Sequence, residues 1–169
     1  MTISMYAASV PVFKQMLGGL SHFLTKAEAH ATAKKIDPSV LLQSRLFPDM
    51  FNLTRQVQIA GDFAKGTCAR LAGVEVPNFE DTETTFAGLQ TRIAKTLAFI
   101  EALPADSING SEERQIVTQA GTPREKIFAG QSYLLNYSLP HFFFHTTTAY
   151  AILRHNGVEI GKKDFIGAY

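Results

Sequence analysis

An all-α four-helix bundle, with a short irregular or hairpin excursion before the last helix, is the fold this sequence predicts. Three observations lead there. Apolar residues recur at mixed three- and four-residue spacing through four long stretches. Five of the seven prolines, Pro38, Pro48, Pro77, Pro104 and Pro123, fall between those stretches. The helical period lapses once, between Ala105 and Gly130.

The first stretch, Met5 to Lys35, carries Tyr6, Val10, Phe13, Leu17, Leu20, Leu24 and Ala27 on one face. Pro11 lies near its start, where a missing N–H costs least. Ile36 to Asp49 holds Asp37-Pro38 and Phe47-Pro48 and reads as a connection with one helical turn. A second helix is expected over Phe51–Ala72, with Leu53, Val57, Ala60, Ala64, Cys68 and Leu71 inward and Gly73 as its stop. The third opens in the acidic cluster Glu80-Asp81-Thr82-Glu83, whose charge suits the positive end of a helix dipole, and runs through Phe86, Leu89, Ile93, Leu97, Ile100 and Leu103 to Pro104. Around Ala120-Gly121-Thr122-Pro123, the segments Gln115–Gln119 and Glu125–Ala129 suit two short strands. The last helix runs unbroken from Tyr133 to Asn156 and stops at Gly157. Val158, Ile160, Phe165 and Ile166 make the tail an ordered flap, with Lys162-Lys163-Asp164 as a solvated loop.

The 169 residues, 46% of them apolar, suffice for one substantial core, and a single domain is expected over residues 1–169. Sixteen Lys and Arg against fifteen Asp and Glu, scattered without blocks, give no surface for nucleic acid. One cysteine, Cys68, excludes an internal disulfide and fits a reducing, cytoplasmic setting. No stretch approaches the roughly 20 apolar residues that span a bilayer, and the first residues lack a basic region followed by an apolar run. The protein is therefore expected to be soluble and unexported. No phosphate-binding loop, nucleotide fingerprint or nucleophile elbow is present, and no basic motif accompanies Cys68 to make it a nucleophile.

Chemistry concentrates on the last helix. At roughly 100° per residue, His141, His145 and Ile152 align, with Tyr137 and Thr148 beside them, so two imidazoles occupy an inner face where leucine is usual. Rings four residues apart could clamp one divalent ion such as zinc, nickel, manganese or iron, or line a small-molecule pocket with Tyr137. No third histidine is placed to complete a metal site: His22 and His30 belong to the first helix, and His155 lies at the end of the last. The remaining donors are Gln56, Gln58 and Asp62 of the second helix. Wheel position favours Gln56; coordination chemistry favours the carboxylate of Asp62. Both readings stand at this point, as does the bland one in which the histidines are hydrogen-bonded core groups. Pro140 removes a backbone bond beside the pair and invites a kink. Phe142, Phe143 and Phe144 cover most of the circumference, so at least one faces outward; this suggests a homodimer or cover from the tail.

The runs Pro48-Asp-Met-Phe-Asn-Leu-Thr-Arg-Gln-Val-Gln-Ile-Ala-Gly-Asp-Phe-Ala-Lys-Gly66 and Phe142-Phe-Phe-His-Thr-Thr-Thr-Ala-Tyr-Ala-Ile-Leu-Arg-His-Asn-Gly-Val158 resemble the DUF1993 family across essentially the whole chain. That family is similar to the DinB-like bundles, whose members commonly hold a divalent metal with one histidine of the second helix and a His-x-x-x-His pair on the last. The resemblance implies that His141 and His145 match that pair. It departs at the second helix, where this chain offers Gln56, Gln58 or Asp62. Some DinB-like proteins are transferases using low-molecular-weight thiols, so three readings follow: a metal or small-ligand pocket, a non-catalytic dimeric bundle, and a thiol-dependent transferase.

Overall fold

The computed structural model describes residues 2–168. Among these, four long helices, α1 (Val10–Lys34), α3 (Leu53–Ala72), α4 (Phe86–Glu101) and α7 (Leu139–His155), pack around one apolar core. Shorter helical pieces join them: α2 (Pro38–Gln43), α5 (Ala105–Ile108), α6 (Gly130–Ser132) and α8 (Lys162–Ile166). Strands β1 (Gln115–Thr118) and β2 (Lys126–Ala129) pair antiparallel with Ile116 opposite Phe128, which is the expected hairpin.

Local chemistry explains most boundaries. Pro11 begins α1 and Pro38 begins α2, whose N–H of Ser39 is capped by the Asp37 carboxylate at 2.9 Å. The Asn52 side chain accepts from the Arg55 N–H at 2.9 Å to open α3. Gly73, at φ +72°, closes it in the left-handed conformation that a Cβ resists. The inward faces hold Phe13, Leu17, Leu20 and Leu24 of α1 against Leu53, Val57, Ala60 and Ala64 of α3 and Phe142, Ala149 and Ile152 of α7.

Three expectations need correction. The acidic cluster does not open α4: Thr85 does, accepting from the Gly88 N–H at 3.0 Å. The carboxylates of Asp81 and Glu83 instead turn toward Arg92 at 2.9 and 3.0 Å, a partner offering more than a helix dipole. Lys162-Lys163-Asp164 is not a free loop but begins α8. The Asp164 carboxylate accepts from the Gly161 N–H at 2.7 Å and from Lys26 at 3.0 Å, with His22 at 3.1 Å, which holds it down to about 2. A Cβ on Gly19 would come within 2.5 Å of the Phe165 carbonyl, so glycine is what lets the tail lie on α1.

The last helix is also not one continuous α-helix. Tyr133–Ser138 is π-helical, and the Leu139 N–H bonds the Leu134 carbonyl five residues back. Pro140 immediately follows; it has no N–H for the residue-136 carbonyl and its ring crowds that group, so the turn before it widens. In an α-helix, residues four apart advance by about 40° around the axis. The wider turn reduces that drift, and the four-spaced Tyr133, Tyr137, His141 and His145 remain together along one side.

Candidate functional site

Those four rings form a ladder. Tyr133 and Tyr137 lie 5.8 Å apart between ring centres, and Tyr137 and His141 4.6 Å. From α3, the Phe63 ring stacks on His141 at 4.8 Å with planes 6° apart, and lies 6.0 Å from His145. The hairpin adds Phe128, 5.0 Å from Tyr137, and the Lys126 ammonium, 5.4 Å above the same ring. Ser138, in the widened turn, is hydrogen-bonded to Thr67 of α3, which pins the π-helical segment to the core.

The two histidines differ. His145 is buried, whereas His141 is exposed along part of its ring, against the expectation of two inward imidazoles. The His145 Nδ1 lies 2.7 Å from the Gln56 Oε1. Burial, then the neighbouring His141 and Arg55, pull the His145 imidazole down to about 4, so it is neutral at physiological pH. His141 is lowered as well, by its covered face and by Lys126.

Of the second-helix candidates, the structure joins only Gln56 to the pair. Gln58 donates to Glu83 at 2.8 Å. Asp62 accepts from Lys65 at 2.8 Å and Arg92 at 2.9 Å, so cations of α3 and α4 hold the carboxylate that coordination chemistry favoured. Sequence reasoning missed Phe63 and Arg70, although they follow Gln56 at seven-residue steps and so share its face. Lys126 and Phe128 arrive through the hairpin and have no comparable local signal.

Next to the ladder is a cavity of about 180 Å³ between Asp62, Phe63, Arg70, Thr118, Tyr133 and Tyr137. Arg70 donates to the Tyr133 hydroxyl at 3.3 Å, and the Thr118 hydroxyl is buried without a partner. Gln119, beside it, has φ +52° and is one of two non-glycine residues with positive φ among those described. A larger open groove, about 830 Å³, separates α1 from the C-terminal segment, but its Asp164 is already paired with Lys26 and lies against His22. Cys68 is fully buried, and burial pushes its thiol up to about 12, which disfavours the thiolate a nucleophile needs.

Fold and face together define a DinB-like helical bundle. A DinB family member protein from Shewanella denitrificans has the same architecture, with a TM-score of 0.90 and 45% sequence identity over 97% of this chain and 92% of that one. The chain belongs to the DUF1993 family, a domain of unknown function, which matches residues 5–166. No curated protein matches it. No helix among the described residues is long and apolar enough to cross a membrane.

The divalent metal that the DinB resemblance implies does not fit the side chains at this face. Among the described residues no three His, Cys, Asp or Glu side chains gather as a metal site requires. His141 and His145 supply two imidazoles, Asp62 is held by Arg92 and Lys65, and the nearest second-helix group is the neutral amide of Gln56.

Proposed function

We propose that this chain is a small-molecule-binding bundle protein whose ligand sits where the Tyr137, His141 and His145 ladder meets Phe63 and Arg70 of α3. The observation carrying this reading is the π-helical stretch. It interrupts a long core helix at the residues that present the ring ladder, beside a cavity bordered by an arginine and two tyrosines. Such interruptions cost backbone regularity and recur at functional sites. Aromatic walls with a few convergent polar groups are the usual make-up of a ligand pocket. On this reading no resident metal is needed, and His145 acts as a neutral polar contact.

The test is a titration of the full chain with small aromatic fragments, followed by NMR. Resonances of Tyr137, His141 and His145 are expected to move, and Tyr137→Leu to weaken binding about tenfold through loss of ring stacking. Fragments that bind only in the groove between α1 and α8, or an unchanged affinity in the variant, would contradict the reading.

A second feature favours a homodimer. Phe144, more than half exposed, lines a groove with Leu46, Met50 and Phe143; Phe47 and Phe51, next to Leu46 and Met50 in the chain, are likewise more than half exposed, and a net charge of +1 offers little repulsion between copies. Sedimentation is expected to give twice the chain mass, and Phe144→Asp to halve it; a monomeric parent would end that proposal. The single buried thiol supports a cytoplasmic setting.

A further inference from the structure

We infer that Gln56 fixes His145 as the Nδ1–H tautomer, leaving Nε2 as a standing hydrogen-bond acceptor, so that the site takes an aromatic ligand bearing an O–H or N–H donor. The inference deepens the pocket reading above and rests on it for the ligand class, though the tautomer stands on its own geometry.

The Gln56 amide is almost fully buried. Its Nε2 donates to the backbone carbonyl of Phe51 at 3.2 Å. Turning the amide over would place two oxygen acceptors at that same separation, with no proton between them. The amide therefore has one orientation, and its Oε1 faces the His145 Nδ1 at 2.7 Å. An amide oxygen can only accept, so the proton of the neutral imidazole resides on Nδ1. Nε2 keeps its lone pair.

That lone pair has no protein donor among the described residues. Nor is Nε2 one of the three fully buried, unpartnered polar atoms, which are Arg92 Nε, Ser111 Oγ and Thr118 Oγ1, so it meets solvent. The charged neighbours make a second proton on the ring unfavourable. Arg55 on α3 and His141 on α7 both oppose it, and the nearby acids are committed, Asp62 to Lys65 and Arg92, Asp81 to Arg55 and Arg92. Burial against Phe63, with the edge of Phe144 5.3 Å away, opposes it further. A carboxylate or other bare anion would meet a lone pair at this atom and be repelled; a phenol or azole would donate to it while its ring lies against the exposed side of His141.

The experiment has two arms, both on the full-length chain. Long-range nitrogen–proton correlation of the ligand-free, nitrogen-labelled protein at neutral pH reports the tautomer: a protonated Nδ1 and a pyridine-type Nε2 at His145 are expected, and the reverse pattern overturns the inference. The second arm compares phenol with anisole, its O-methyl ether, which keeps the ring and loses the donor. Phenol is expected to bind about tenfold more tightly, the worth of one hydrogen bond in a partly dry site. Equal affinity overturns the donor requirement while leaving the pocket in place. Binding of neither probe at the ladder overturns the pocket reading itself and the ligand class with it, while the tautomer is still decided by the first arm.

Discussion

Replacing Arg92 with methionine lowers stability by about 3 kcal/mol, the lower end of what removing one partner from a buried ionic cluster costs. The guanidinium is 1% exposed and reaches Asp62 and Asp81 at 2.9 Å, Glu83 at 3.0 Å and the Glu80 carbonyl at 3.2 Å. Methionine fills similar space but leaves Glu83, only 12% exposed, with Gln58 as its remaining partner. Asp62 and Asp81 are better hydrated and keep Lys65 and Arg55, so they add little to the loss. Gly61 lies against Arg92 and Thr96, so the cation also shapes the contact between α3 and α4. For a chain of this length the melting temperature should fall by roughly 6–12 °C. Thermal unfolding checks this, and a fall of less than about 2 °C would show that the cluster is not a structural tie.

The second large effect comes from Phe142→Ala, about 4 kcal/mol, within the range for truncating a buried phenylalanine. The ring is inaccessible to solvent and meets Phe13 of α1 edge-on at 4.9 Å, with Phe143 at 5.7 Å. Alanine leaves a cavity under the first turn of α7, three residues before His145. A drop of roughly 8–16 °C is expected by calorimetry. The same change at Phe144, more than half exposed, should alter stability by no more than about 0.5 kcal/mol. Comparable losses at both positions, measured at a dilution where the chain is monomeric, would mean that α7 is rotated from the orientation described.

The three successive phenylalanines show how much could be read in advance. A helix wheel requires one of them to face out, and it does; which one depends on the phase of the helix. That phase is reset by the π-helical turn, which leaves no mark in the sequence beyond Pro140. Helix ends set by local chemistry, at Gly73 and Gly157, were legible because the cause lies within a few residues of the effect, whereas the first helix, expected from Met5, begins only at Val10, beside Pro11. The start of α4 was not legible, because the acidic cluster folds back onto Arg92, nine and eleven residues beyond Glu83 and Asp81 on the same stretch. The site divides the same way. Wheel position pointed to Gln56 beside His145, and the amide is there; coordination chemistry pointed to Asp62, whose carboxylate is held by a cation 30 residues further along the chain. Lys126 and Phe128 reach the ladder only because the hairpin folds back over it, a long-range event that no local pattern records.

Elemental analysis tests most directly the claim that this face is a pocket built from rings and one oriented imidazole, without a resident ion. It would use protein purified without a histidine tag, incubated with zinc, nickel, manganese and iron and then dialysed, beside a variant with His141 and His145 both changed to alanine. Metal far below one ion per chain is expected in both proteins, since among the described residues His145 and His141 have no third donor and Asp62 is taken by Arg92 and Lys65. Near-stoichiometric metal in the parent that disappears in the variant would contradict it, and would make this face a metal centre.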